Sequence, residues 1–236
     1  MQLHQPVRKY VWLMALVLLV VSRPGQSLAG PGAKHDFTQW ENEISAFERM
    51  DRTNPPPKGG VLFIGSSTIR FWKSLPQDFP GRNVINRGFG GSELEDSTHF
   101  ADRIIFPYEP SMVFIRAGGN DLWAGKTPAR VFADFKDFVA KVRTRLPRTV
   151  IVYIAWNPSV ARWKEVDQEK EMNRLIEGYV RQTPGLKYVD AWSIPLDSAG
   201  KPRPELFRAD GLHFNAVGYQ ELIRRVRPFL PAPVAK

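Results

Sequence analysis

The chain has no cysteine among its 236 residues. That excludes a disulfide framework, a thiolate nucleophile and thiolate metal ligands. Histidine is scarce, with four in all, so a reaction that needs an imidazole base has few candidates. There is no Gly-x-Ser-x-Gly segment, which argues against the ordinary α/β-hydrolase nucleophile turn. There is no internal repeat or low-complexity tract. Nor do the basic residues form a run interleaved with aromatics, so the formal charge of +9 does not point to a nucleic-acid partner.

Long apolar runs are also missing, with one exception near the start. Arg8 and Lys9 precede the apolar segment Tyr10 to Val21, and Ser27-Leu28-Ala29 supplies small residues beyond it. As a helix the segment rises only about 18 Å, short of a ~30 Å hydrocarbon core. The order of charge, apolar run and small residues predicts a secretory signal, residues 1–29, cleaved after Ala29. A secreted or periplasmic location follows, with no stable membrane insertion of the mature chain; an uncleaved anchor is the alternative. Loss of Arg8, Lys9 and Arg23 leaves a charge of about +6 on residues 30–236. That length suits one α/β domain.

Beyond a flexible lead-in at residues 30–35, short apolar runs alternate with amphipathic stretches. Phe37, Trp40, Ile44 and Phe47 fall at helical spacing, and a Pro/Gly-dense break at residues 54–60 ends that helix. Strands are expected at Val61 to Ile64, Val84-Ile85, Met112 to Ile115, Val150 to Ala155 and Tyr188-Val189. Ser92 and Glu95 have the spacing of a capping box for a helix running towards Phe106. Thr127 and Pro128 open another, with Val131, Phe135, Phe138, Val142 and Leu146 on its buried face. Helices are also expected from Trp163 to Val180 and from Asn215 to Phe229. This alternation predicts a parallel sheet covered on both faces, with the site beyond the carboxyl ends of its strands.

Polar residues cluster where that rule puts a site. Ser67 follows the first strand through Gly65-Ser66, at a strand-to-helix junction whose free N–H groups favour a developing oxyanion. Ser66 or Ser67 as a simple N-cap is the ordinary alternative. Gly88-Phe89-Gly90-Gly91 follows the second strand; it is a tight turn or a close backbone approach to a ligand. It lacks the third glycine of a dinucleotide fingerprint. Gly118-Gly119-Asn120-Asp121 follows the third strand. His213 stands before the last helix, three residues after Asp210, where a turn can bring carboxylate and imidazole together. His35 falls in the lead-in and His99 on a helix surface.

Taken in this order, the four segments resemble those of the SGNH hydrolases, the GDSL lipase/acylhydrolase family. Gly65-Ser66-Ser67 is similar to the family's Gly-Asp-Ser, with Ser66 in place of the usual Asp. The resemblance implies Ser67 as nucleophile, with Asp210 and His213 completing a triad. It places the oxyanion hole at Ser67, Gly91 and Asn120, and implies a three-layer αβα, flavodoxin-like fold with about five parallel strands. The chemistry so implied is acyl transfer through a serine ester, with no cofactor and no metal. A short-chain or acetyl ester, on a small molecule or a glycan, is the expected substrate. Trp156, Arg162 and Trp163, after the fourth strand, are the candidate substrate contacts. A lysophospholipase or thioesterase is an alternative, as is a non-catalytic carbohydrate- or lipid-binding protein on the same fold. The sequence does not decide the oligomeric state.

Overall fold

The computed structural model describes residues 35–233, so the expected signal segment, its cleavage point and residues 30–34 lie outside the described residues. Five strands form one all-parallel sheet in the order β2-β1-β3-β4-β5. They are β1 (Val61–Gly65), β2 (Val84–Gly88), β3 (Met112–Arg116), β4 (Val150–Ile154) and β5 (Leu186–Val189). Each expected strand is present; β1, β2, β3 and β5 are one to three residues longer than expected, and β4 ends one residue earlier, at Ile154. The chain order reverses at β1, whose neighbours are β2 and β3. In sheets of this order the crevice above that reversal is where ligands bind.

Alternation along the strands builds two cores. Leu62, Ile64, Val113, Ile115, Ile151 and Tyr153 point to one face. There they meet α1 (Glu41–Thr53), α4 (Leu94–His99), α5 (Ala101–Ile104), α7 (Pro128–Arg145) and α8 (Val166–Gln182). Val61, Phe63, Met112, Phe114, Val152 and Ile154 point to the other. That face is covered by α2 (Ser67–Arg70), α3 (Leu75–Asp78) and α9 (Ala216–Val226). A short α6 (Gly119–Trp123) follows β3. The two buried faces explain why β1 and β3 are apolar at nearly every position, with no polar alternation. The result is the three-layer αβα fold.

Several local expectations change. The capping box is one residue later than Ser92 and Glu95 suggested: Glu93 is the N-cap and Asp96 accepts from its backbone N–H at 2.7 Å. The Ser92 hydroxyl instead donates to Phe89 O. The helix it opens stops at His99, and α5 and a 3₁₀ turn finish the run. His35 is fixed in place, 2.7 Å from the buried Asp96 carboxylate. His99 is exposed, as expected, with its ring stacked on Phe37 at 3.9 Å. Asp36 caps a 3₁₀ turn that precedes α1. Trp163 to Glu165 form a separate 3₁₀ turn before α8, and Asn215 is the cap of α9, its side chain accepting from Val217 and Gly218 N–H. Among the described residues, no helix is long and apolar enough to cross a membrane.

Candidate active site

Ser67 is the first residue of α2, directly above the end of β1. The chain reaches it through Gly65, whose φ is +113° and whose missing side chain leaves room for the backbone of Arg116 on β3. A Cβ at Gly65 would lie 2.2 Å from Arg116 O, so only glycine lets the two strands run together here. Ser66 N–H then donates to that same carbonyl at 3.0 Å. Ser66 is the N-cap of α2, but its side chain makes no capping bond; its hydroxyl is buried without a partner. As the opening residue of a helix, Ser67 has no helical carbonyl for its own N–H.

The loop ahead of α9 is bent to deliver the histidine. Gly211 takes φ +63°, and the Asp210 carboxylate accepts from Leu212 and His213 N–H at 2.9 Å each. Backbone hydrogen bonds from Arg208 N–H to His213 O and from Asn215 N–H to Leu206 O close the loop, with Phe207 facing Phe214. Tyr219 on α9 donates to Thr68 O at 2.7 Å, tying this element to α2. The outcome is a continuous chain of contacts. His213 Nδ1 lies 2.8 Å from Asp210 Oδ2, and His213 Nε2 lies 2.9 Å from Ser67 Oγ. With Nδ1–H given to the carboxylate, Nε2 is the acceptor for the serine hydroxyl. Burial raises the Asp210 pKa, but hydrogen bonds from the His213 backbone and ring and from Leu212 outweigh it and bring it to about 2. Asp210 is therefore an anion facing the imidazole.

Asn120, on α6, is held from two sides. Its Nδ2 donates to Ser92 O at 3.0 Å, and its Oδ1 accepts from Arg162 Nη1 at 3.0 Å. Because a guanidinium only donates, this pair fixes which end of the amide is oxygen. Asn120 lines a narrow cleft with Ser67, His213, Trp156 and Arg162. The space there open to a water-sized group is only about 10 Å³, roughly one water. Gly91 occupies the turn after β2 with φ +83°, beside Trp40; it is outside the lining of this cleft.

The three candidate substrate contacts separate. Arg162 lines the cleft, donates to Gly119 O as well as to Asn120, and lies over the Trp123 ring at 5.1 Å. Trp156 is a buried wall residue, its Nε1 donating to Glu169 at 2.8 Å and its ring filling the space beside Gly119. Trp163 is not in the lining; its ring carries the Lys201 ammonium at 4.6 Å.

Two buried charges were not foreseen. Arg116 closes β3 and is only 2% exposed, its guanidinium bonded to Ala155 O and Asn157 Oδ1 and stacked on Trp156. Burial lowers its pKa to about 10, so it is a cation at neutral pH. Glu169 faces it from α8, and burial raises that carboxyl to about 8. The signal was a lone arginine ending an apolar strand, and a lone glutamate on the buried stripe of a helix. Behind Asn120, Lys126 gathers Glu93, Glu95, Asp121 and Asp134 within 3.3 Å. His35, Glu93 and Glu95 lie close enough together to ligate a metal, but the ammonium already serves both glutamates.

Comparison with known proteins gives the family and the fold. Residues 64–221 match the model of the GDSL-like lipase/acylhydrolase family. Comparison with curated proteins gives no match. Among solved structures, the chain is similar to a protein from Streptococcus pneumonia described as a platelet activating factor, with TM-score 0.73 and 18% identity over 82% of this chain and 94% of that one. A protein from Bacteroides fragilis described as an acylhydrolase gives 0.68 and 20%, over 83% and 97%. An acetylxylan esterase from Geobacillus stearothermophilus gives 0.61 and 16%, over 76% and 98%. At these identities the likeness is one of fold.

Proposed function

Because the chain belongs to the GDSL-like lipase/acylhydrolase family, we propose that it is an exported serine esterase that cleaves short-chain or acetyl esters through an acyl-enzyme. The observation that carries this reading is the unbroken set of contacts from Ser67 Oγ through His213 to Asp210, at 2.9 and 2.8 Å.

In this scheme His213 Nε2 takes the Ser67 proton as Oγ attacks the ester carbonyl, and Asp210 stabilises the imidazolium. The oxyanion is held by Ser67 N–H and the Asn120 amide, with Gly91 N–H as the third donor. His213 then gives its proton to the departing alcohol and activates water for deacylation. Arg162 holds the Asn120 amide by its oxygen and leaves the nitrogen as the donor. Trp156 is a wall of the acyl side and not a stacking platform. The narrowness of the cleft supports a small acyl group over a long chain. The charged, apolar and small-residue order of residues 1–29 supports export. A sugar ester suits an exported enzyme of this kind.

The test is hydrolysis of p-nitrophenyl acetate by the purified chain beside a folded Ser67→Ala variant. Turnover lost in the variant supports the scheme. Equal turnover in both moves the nucleophile elsewhere, and no turnover by either favours a binding protein on the same fold.

A further inference from the structure

The imidazole of His213 has a neighbour that the reaction scheme does not use. Phe71, just past α2, meets it edge-on with ring centroids 5.0 Å apart. Two guanidiniums lie against this one phenyl ring. That of Arg208 is 4.7 Å from the ring centroid and that of Arg70 is 5.8 Å. Both side chains belong to exposed residues. Arg208 is anchored by Nε, which donates to Phe214 O at 3.2 Å. Arg70 lies across the glycine loop after β2, where a Cβ at Gly90 would come within 2.6 Å of its Nη1. Neither guanidinium forms an ion pair among the described residues. Asp210, on the same loop as Arg208, is already committed through three hydrogen bonds, two from His213 and one from Leu212 N–H.

The position of this pair matters more than its charge. In acyl transfer by a serine, the histidine protonates the leaving alcohol, so that half of the ester must lie beside the imidazole. An apolar ring edged against His213 and flanked by two unpaired guanidiniums therefore faces the alcohol half. Arginine presents a planar fork that matches carboxylate, sulfate and phosphate oxygens. We propose that Arg70, Phe71 and Arg208 form a subsite for an oxyanion carried on the alcohol half of the substrate, so that the natural ester is one of an acidic alcohol. This rests on the serine-esterase reading above, which it deepens. Arg116 and Arg162, lining the cleft itself, add positive potential behind the site.

A matched pair of acetates tests it: 4-acetoxybenzoate and its neutral methyl ester, each enzymatic kcat/KM divided by the rate of hydroxide hydrolysis. The expected result is a preference of about tenfold for the anion at low salt, the scale of one or two charge-assisted hydrogen bonds, weakening in 0.5 M salt. In Arg70→Gln/Arg208→Gln the ratio falls towards one; because it is a ratio within one protein, general damage to the fold cancels. A wild-type ratio near one, or a ratio unchanged in the double variant, overturns the proposal. Calorimetric binding of 4-hydroxybenzoate to wild type, Ser67→Ala and the double variant separates the two readings. Binding that needs the arginines, without turnover of either ester, overturns only the esterase reading; turnover of the methyl ester with neither preference nor binding overturns only the subsite. A parallel series with aryl acetates bearing sulfate or phosphate identifies which oxyanion is preferred.

Discussion

Arg162 Nη1 donates to Asn120 Oδ1 at 3.0 Å while Asn120 Nδ2 donates to Ser92 O at 3.0 Å. The amide is thereby held between the loop after β4 and the turn after β2, and its orientation is not free to reverse.

That clamp predicts how the two residues combine. Asn120→Ala removes a donor and is expected to lower kcat by ~10²–10³. Arg162→Met leaves the amide but releases it, so kcat falls by less, roughly tenfold, and Arg162→Lys restores part of the loss. The double variant is expected to be no slower than Asn120→Ala alone, because a clamp on an absent group has nothing to hold. Steady-state kinetics on p-nitrophenyl acetate measure all four; additive losses would show that Arg162 acts independently.

Asp210 is predicted to set no limb in the pH–rate profile above about pH 4. Its carboxyl titrates at about 2 in the folded protein, below the ordinary carboxylate value, so it is ionised across any practical assay. Asp210→Asn is expected to lower kcat by roughly 10³–10⁴ by losing the imidazolium's counter-charge and tautomer. The measurement is kcat/KM from pH 4 to 9. A wild-type profile with two acid limbs contradicts the assignment.

Glu169 makes stability fall as pH rises. Burial raises its carboxyl to about 8 in the folded chain against an ordinary 4.5. Between those values the unfolded chain has released a proton that the folded chain retains, so alkali favours unfolding. Glu169→Gln keeps an acceptor for Trp156 Nε1 and removes the titration. Its Tm is expected to exceed that of wild type by a margin that grows from pH 5 to pH 8, about 2–4 °C for each kcal/mol gained. An equal margin at both pH values would assign the effect to packing instead.

Lys126→Met is expected to be the most damaging change outside the cleft. It strips the ammonium from the buried Asp121 and from Glu93 and Glu95 at the mouth of α4, and leaves the buried Asp134 with Arg130 alone. Breaking a buried pair by removing one partner costs about 3–5 kcal/mol. Urea unfolding reads the loss, and an effect below about 1 kcal/mol would mean the four acids do not depend on this ammonium.

Gly88→Ala tests the seat of the nucleophile. A Cβ there would lie 2.3 Å from Arg70 N, on the backbone of α2, where no side-chain adjustment relieves it. The helix carrying Ser67 must shift, so activity is expected to fall by more than the loss of stability explains. Comparing kcat with the folded fraction from circular dichroism measures both.

What the sequence by itself determined is the part carried by local pattern. Apolar runs such as Val61 to Ile64 and Met112 to Ile115 mark strands buried on two faces, and strict alternation with helices sets a parallel sheet. Ser67, Asn120, Asp210 and His213 stood out as candidates because each stands in a short segment at a strand end or helix mouth. The capping box moved by one residue because Ser92, Glu93, Glu95 and Asp96 offer two overlapping pairs of suitable side chains, and only the turn after β2 selects Glu93 with Asp96. Trp156 and Trp163 look alike in sequence, yet one is buried against Glu169 and the other lies under Lys201. The clamp of Arg162 on Asn120, the buried Arg116, and the meeting of Arg70 and Arg208 on Phe71 each join residues distant along the chain. Contacts of that kind leave no local signature; the tertiary structure decided them by bringing the ends of separate strands to one rim.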